Sequence, residues 1–150
     1  MKRPRFFLRA LLGALLAGTA LAAAADMPRT DLTAGFHRIE AEVALNQADR
    51  MQGLMHRTQM APNQGMLFIF PQADRHCMWM KNTLIPLSVA FLDDTGHIIN
   101  VRDMQPQTET SHCADKAARF ALEMNQGWFA AKGIKAGAAI GGLDRLPPPQ

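Results

Sequence analysis

The sequence predicts an α+β domain: a compact, bent or barrel-like, mostly antiparallel sheet of about six short strands, with two short helices. Three observations carry this. The stretch FHRIEAEVAL, residues 36–45, alternates Ile39, Ala41, Val43 and Leu45 against Arg38, Glu40 and Glu42, the period-two pattern of a half-buried strand. The turn signature DDTG, residues 93–96, separates two further strand-like runs. Helical spacing appears only twice and briefly, and no heptad or internal repeat is present.

The elements follow in chain order. Residues 1–25 read as a secretory signal peptide: Lys2, Arg3, Arg5 and Arg9 are basic, residues 10–20 are apolar, and Ala23-Ala24-Ala25 offers a small-residue cleavage site. The apolar run is shorter than the ~20 residues a membrane-spanning helix needs. Residues 26–35, with Pro28 and Gly35, read as a loose tail, and residues 36–144 as one β-rich domain. Asn46 caps a short predicted helix over 48–55, where Met51, Leu54 and Met55 share a face. APNQG is a turn, and MLFIF, residues 66–70, is a buried strand ended by Pro71. HCMWMK, residues 76–81, reads as another strand. LSVAFLD, residues 87–93, and HIINVRDM, residues 97–104, form a hairpin across DDTG. Residues 105–115 are a polar loop, long enough to be functional. ARFALEM, residues 118–124, is a strand, with Phe120 and Leu122 inward, or Ala121 and Glu123 in the other register. NQGWFAAKGI supplies one or two helical turns ending at Gly133, AGAAIGGL a weak last strand, and residues 145–150 a Pro-rich tail.

Charge and cysteine content narrow the functional classes. The chain carries 16 Lys and Arg against 13 Asp and Glu. Removing the four basic residues of the signal leaves twelve against thirteen, so the pI of 9.2 belongs to the precursor. The mature domain lacks the basic balance that nucleic-acid binding requires, and no transmembrane span is expected after cleavage. The expected location is periplasmic or secreted. In that compartment two cysteines favour one disulfide, Cys77–Cys113. A zinc or copper site built from the pairs His76-Cys77 and His112-Cys113 is the alternative. Adjacent residues on a strand project to opposite faces, which disfavours it. No cofactor and no native metal are expected.

Six motifs occur in order: GLMHR at 53–57, GMLFIF at 65–70, WMKNTLIPL at 79–87, DDTGHI at 93–98, AARFALE at 117–123 and GIKAG at 133–137. Together they resemble the domain of unknown function 192 family over about residues 43–140. The resemblance implies a single β-rich domain in a family without an established biochemical activity. Three positions depart from the family pattern: Ser88 and Ala138 stand where Asp is usual, and Phe120 where Tyr is usual.

Candidate site residues cluster at 79–83. Trp79 offers a flat apolar platform, and Lys81, Asn82 and Thr83 add directed polar groups, a set suited to a small polar ligand. Arg119 and Glu123, four apart on a strand, share a face and are either a surface ion pair of little energetic worth or a charge pair lining a cleft. No catalytic motif is recognised, and whether there is catalysis stays open. The enzymatic alternative is Lys81 as a nucleophile or acid/base desolvated near Trp79. The expectation is an exported domain that binds a small polar ligand or a component of the cell envelope. Its contact surface would be residues 79–83 with the 105–115 loop, which the disulfide ties to the strand carrying Trp79. Oligomeric state and strand order stay open.

Overall fold

A computed structural model describes residues 27–148 and 150. The expected signal peptide lies outside the described residues. The elements are β1 (Arg29–Ala34), β2 (His37–Ala44), α1 (Gln47–Gln52), β3 (Gln64–Asp74), β4 (Cys77–Met78), β5 (Leu87–Leu92), β6 (Ile98–Met104), β7 (His112–Cys113), β8 (Ala118–Asn125), α2 (Trp128–Ala131) and β9 (Ile140–Gly141). Seven strands form one sheet in the order β6-β5-β8-β3-β2-β1-β9, and β4 and β7 make a separate two-stranded ribbon. The domain is therefore largely β, with a seven-stranded sheet where about six strands were expected. It has the two short helices.

All pairings in the sheet are antiparallel except β2 with β3, which run parallel through the α1 connection. The sheet curls into a half-barrel. At one end its two flanks are joined: β9 pairs with β1 on one side, while Ile98 N donates to Ala138 O and Ile140 N to Gly96 O on the other.

Curling gives the sheet two apolar faces. Inside lie Leu32, Ile39, Ala41, Val43, Leu67, Ile69, Ala90, Leu92, Leu122 and Met124, capped by Trp128 and Phe129 of α2. Outside, Met66, Phe68, Phe70, Leu87, Val89, Phe91 and Ala121 are covered by Leu54, Met80 and Ile85 from the connecting segments. The central strands β3, β5 and β8 are thus buried on both faces, which is why MLFIF reads as a continuous apolar run and not as an alternation. At Gly65 β3 and β8 come so close that an added Cβ would lie 2.4 Å from Met124 Sδ and 2.5 Å from the Glu123 carbonyl oxygen.

Four expectations are corrected. Residues 29–34, expected within a loose tail, form β1, because Leu32 and Ala34 bury against β2 across the tight Gly35-Phe36 turn. β3 does not stop at Pro71 but runs to Asp74, with a register irregularity between Ile69 and Asp74 that accommodates the missing N–H. HCMWMK is a strand only at Cys77-Met78, since the chain turns after burying Met80. The C-terminal tail begins inside a 3₁₀ turn, Leu143–Arg145, where Arg145 donates to the Asp31 carbonyl 2.9 Å away.

Candidate functional site

The outer face of the sheet carries one buried acid. Glu123 of β8 sits between Met66 of β3 and Val89 of β5 and is 4% exposed. No described residue donates a hydrogen bond to its carboxyl group. Burial alone pushes its pKa up to about 8, so the group is a neutral acid at neutral pH. Glu123 faces a small, half-open cavity of about 30 Å³. Arg50, Met51, Gln52, Gly53, Leu54 and Met55 wall one side of it, Met78, Trp79 and Thr83 the other, and Phe68 lies beneath.

Local sequence chemistry brings the two walls together. The Asn46 side chain accepts from Asp49 N at 2.9 Å and caps α1. Gly53 ends the helix at φ +48° and bonds back to Asp49 O. A side chain there would press on the Phe68 ring at 3.3 Å. Arg57 then forks onto the Glu42 carboxylate of β2, and Asn125 Nδ2 holds the Met60 and Ala61 carbonyls at 3.1 Å. The opposite wall is anchored by fully buried Met80, whose N–H donates to Thr108 O. Thr83 is buried and its N–H closes the turn onto Met80 O.

Three non-glycine residues adopt positive φ among the described residues, and all three meet at this turn: His56 at 65°, Asn82 at 56° and Gln107 at 58°. His56 N donates to Asn82 O, and Gln107 N donates to Thr83 O. Left-handed backbone at non-glycine residues costs energy and concentrates where a site has to be shaped.

The structure divides the candidate residues. Trp79, Thr83 and Glu123 line one cavity. Lys81 does not: its side chain is 47% exposed, its ammonium lies 5.4 Å from the centre of the Trp79 ring, and it is 3.7 Å from Glu109. An ammonium in such open surroundings lacks the desolvation that a lysine nucleophile requires. Asn82 acts through its backbone, with an exposed side chain. Arg119 lies apart from Glu123 and donates to the Pro71 carbonyl. Four residues of strand span about 13 Å, so a shared face does not make an ion pair.

Cys77 and Cys113 are disulfide-bonded, directly opposed across β4 and β7. Both thiols are consumed, which removes the thiolates from the His-Cys metal alternative. The bond ties the end of the 105–113 loop to the strand that leads into Trp79. Asn100, buried in β6, reinforces that end by donating to Cys113 O and accepting from Asp115 N.

A larger groove of about 550 Å³ lies on the opposite side, between β6 and the turn after α2. Its buried polar group is already satisfied: Ser88 Oγ donates to Asp103 Oδ1 at 2.5 Å and accepts from Gly127 N at 2.8 Å. The one fully buried side-chain polar atom left without a partner among the described residues is Trp128 Nε1, in the inner cluster. The Glu123 cavity is the candidate site because it alone of the two presents a buried titratable group with no hydrogen-bond partner to its opening. Arg50, Met51, Gly53, Leu54, Met55 and Met78 were not among the sequence candidates. The signal was present in GLMHR, a motif whose partner across space is WMKNT.

Fold and site together define a small, largely β domain with a curled sheet and a buried acid at the base of a small half-open cavity. The chain belongs to the DUF192 family, described as uncharacterized ACR, whose model matches residues 29–142. It is similar to a solved protein of unknown function from Novosphingobium aromaticivorans DSM 12444, at 31% identity and a TM-score of 0.73, covering 85% of this chain and 99% of that one. It is also similar to a candidate transcription regulator from Sinorhizobium meliloti 1021, at 34% identity and a TM-score of 0.70, covering 75% of this chain and 90% of that one. No curated protein matches the chain.

Proposed function

We propose that this chain is an exported binding domain of the cell envelope, and that the cavity between residues 50–55 and 78–83 is its ligand site. One observation carries the reading: Glu123 is a buried carboxyl group without a hydrogen-bond partner in the protein, facing a half-open cavity. A ligand that reaches it satisfies a polar group that the fold leaves unpaired. The cavity mouth supports the same reading. Met51 and Trp79 are large apolar side chains left exposed on the two walls, 69% and 49% respectively. Export is supported by the basic and apolar N-terminal pattern and by the disulfide, which persists in oxidising compartments.

Chemical-shift mapping against envelope sugars, short peptides and metal ions tests the site. A ligand of this cavity shifts the amides of Gly53, Trp79 and Thr83 together, and Glu123→Gln weakens its binding. Saturable binding that maps to the groove beside β6, or that is indifferent to Glu123→Gln, sinks this assignment. Fractionation of cells expressing the full chain tests export: the processed protein belongs outside the cytoplasm, with its thiols blocked to alkylation until reduced.

A further inference from the structure

Resting on that cavity as the binding site, we propose that its ligand is a soft monovalent metal cation, Cu(I) in chemical class. Met51, Met55 and Met78 would hold it beside the Trp79 ring, with Glu123 as its counter-charge. Size argues first. A half-open recess of about 30 Å³ admits an ion or a water or two beside Glu123, and a sugar ring or peptide residue would have to stay outside it.

The donor set argues next. Three thioether-bearing residues line this one cavity. Thioethers bind poorly to hard cations and select Cu(I)-like ions. Calcium needs six to eight oxygen donors, and only Gln52, Thr83 and Glu123 bring side-chain oxygen here. Zinc favours thiolate, imidazole and carboxylate, and neither Cys nor His lines the cavity. Cation binding releases the Glu123 proton to solvent, and a monovalent ion beside the resulting carboxylate leaves a neutral pair, whereas a divalent ion leaves net charge in a low-dielectric site. The Arg50 guanidinium, which also lines the cavity, is engaged by the Leu45, Ile69 and Gln150 carbonyls. The Trp79 face adds an attraction for any cation, as its contact with the Lys81 ammonium illustrates.

Packing explains these methionines only in part. Met66, Met80, Met104 and Met124 are fully buried and fill the two cores. Met78 is half-buried against the outer cluster, Met55 is half-buried and Met51 is exposed, so the thioethers of Met51 and Met55 have little core to fill. This site shares no residue with the His-Cys pairs that the disulfide consumes.

The test uses Ag(I), a redox-stable ion of the same class, on untagged, fully oxidised protein with methionine methyl groups labelled for NMR. Saturable binding of one ion per chain is expected, with the methyl signals of Met51, Met55 and Met78 shifted and those of Met66, Met80, Met104 and Met124 unmoved. Each thioether is then replaced by near-isosteric Leu, in Met51→Leu, Met55→Leu and Met78→Leu. Affinity should drop by at least about tenfold for each, the lower end of what even outer partners of a bound metal cost. Absence of saturable binding, shifts at the core methionines, or affinity that survives all three substitutions overturns the assignment. If Ag(I) fails but a small ammonium or amide ligand shifts Gly53, Trp79 and Thr83 in a manner sensitive to Glu123→Gln, the metal assignment falls and the cavity stands. If neither class perturbs these residues, both fall.

Discussion

Glu123 has an acid–base consequence of its own in the metal-free protein. Its folded pKa is raised from 4.5 to about 8. The folded state therefore keeps a proton that the unfolded chain releases, and the stability this contributes is complete below pH 4.5. It is lost as pH rises toward 8, at a slope approaching 1.4 kcal/mol per pH unit, about the value of one proton. Urea unfolding of the native protein and of Glu123→Gln across this range should show the native protein losing stability relative to the variant with that slope, then levelling above about pH 8. A flat difference throughout would mean that the carboxyl group is not buried as described. Asn82 makes a second case at this scale. Its φ of 56° and its carbonyl bond to His56 N assign it a backbone role. Asn82→Ala should destabilise by about 1 kcal/mol, the left-handed penalty for an ordinary residue, and Asn82→Gly should be nearly neutral. Equal losses in both would instead point to the carboxamide.

Among the elements, the β4–β7 ribbon is the smallest and the one that most directly sets the site. Two residues a side are too few to persist as a free hairpin. The disulfide and the backbone bonds Met80 N to Thr108 O and Gln107 N to Thr83 O hold it. Replacing both cysteines by Ser should cost up to about 4 kcal/mol on the chain-entropy account, whose mechanism is disputed. The loss should be local before it is global. Hydrogen exchange at Met80 and Gln107 accelerates while the amides of β5 and β8 keep their protection, and affinity at the cavity falls with it. Affinity that survives the double substitution would uncouple the disulfide from the site. The double variant is the informative one, because a single Cys→Ser leaves a thiol that itself captures soft ions. β2 shows what alternation makes legible, since Ile39, Ala41 and Val43 all point inward as expected. β1 was missed because its pattern holds only Leu32 and Ala34, and its strand character comes from its partner. The 76–81 run fails differently: Met80 belongs to the core under a turn, which a period-two pattern cannot distinguish from a strand position.

At the scale of the whole molecule, the central strands and the β5–β6 hairpin are legible in the sequence, while the closure is not. Neither the parallel β2–β3 pair nor the joining of β1 to β6 by residues 137–141 leaves a local pattern, because both are long-range pairings between segments of ordinary composition. The site follows the same rule. Trp79, Thr83 and Glu123 were recognisable by residue type, but the 50–55 wall becomes part of the site only when the sheet's outer face gathers it. Closure also sets how the molecule should open. Residues 137–141 link the two flanks, through Gly141 and Ile140 on β1 and through Ala138 and Ile140 on residues 96–98, and the 143–145 turn adds Leu143 against Gly96 and Arg145 on the Asp31 carbonyl. Ending the chain at residue 136 removes them and uncovers the inner cluster at Leu32, Ala34 and Ile98. β3, β5 and β8 keep both neighbours and should remain the most protected unit. Hydrogen exchange on the shortened chain should therefore be fast along β1 and at the start of β6, and slow in the three central strands. The Glu123 cavity lies on the opposite face and loses only the Arg50 bond to Gln150 O, Arg50 keeping the Leu45 and Ile69 carbonyls, so it should keep its ligand-induced shifts at Gly53, Trp79 and Thr83. Uniform loss of protection would show instead that the half-barrel folds only as a closed unit, with the site depending on the seam.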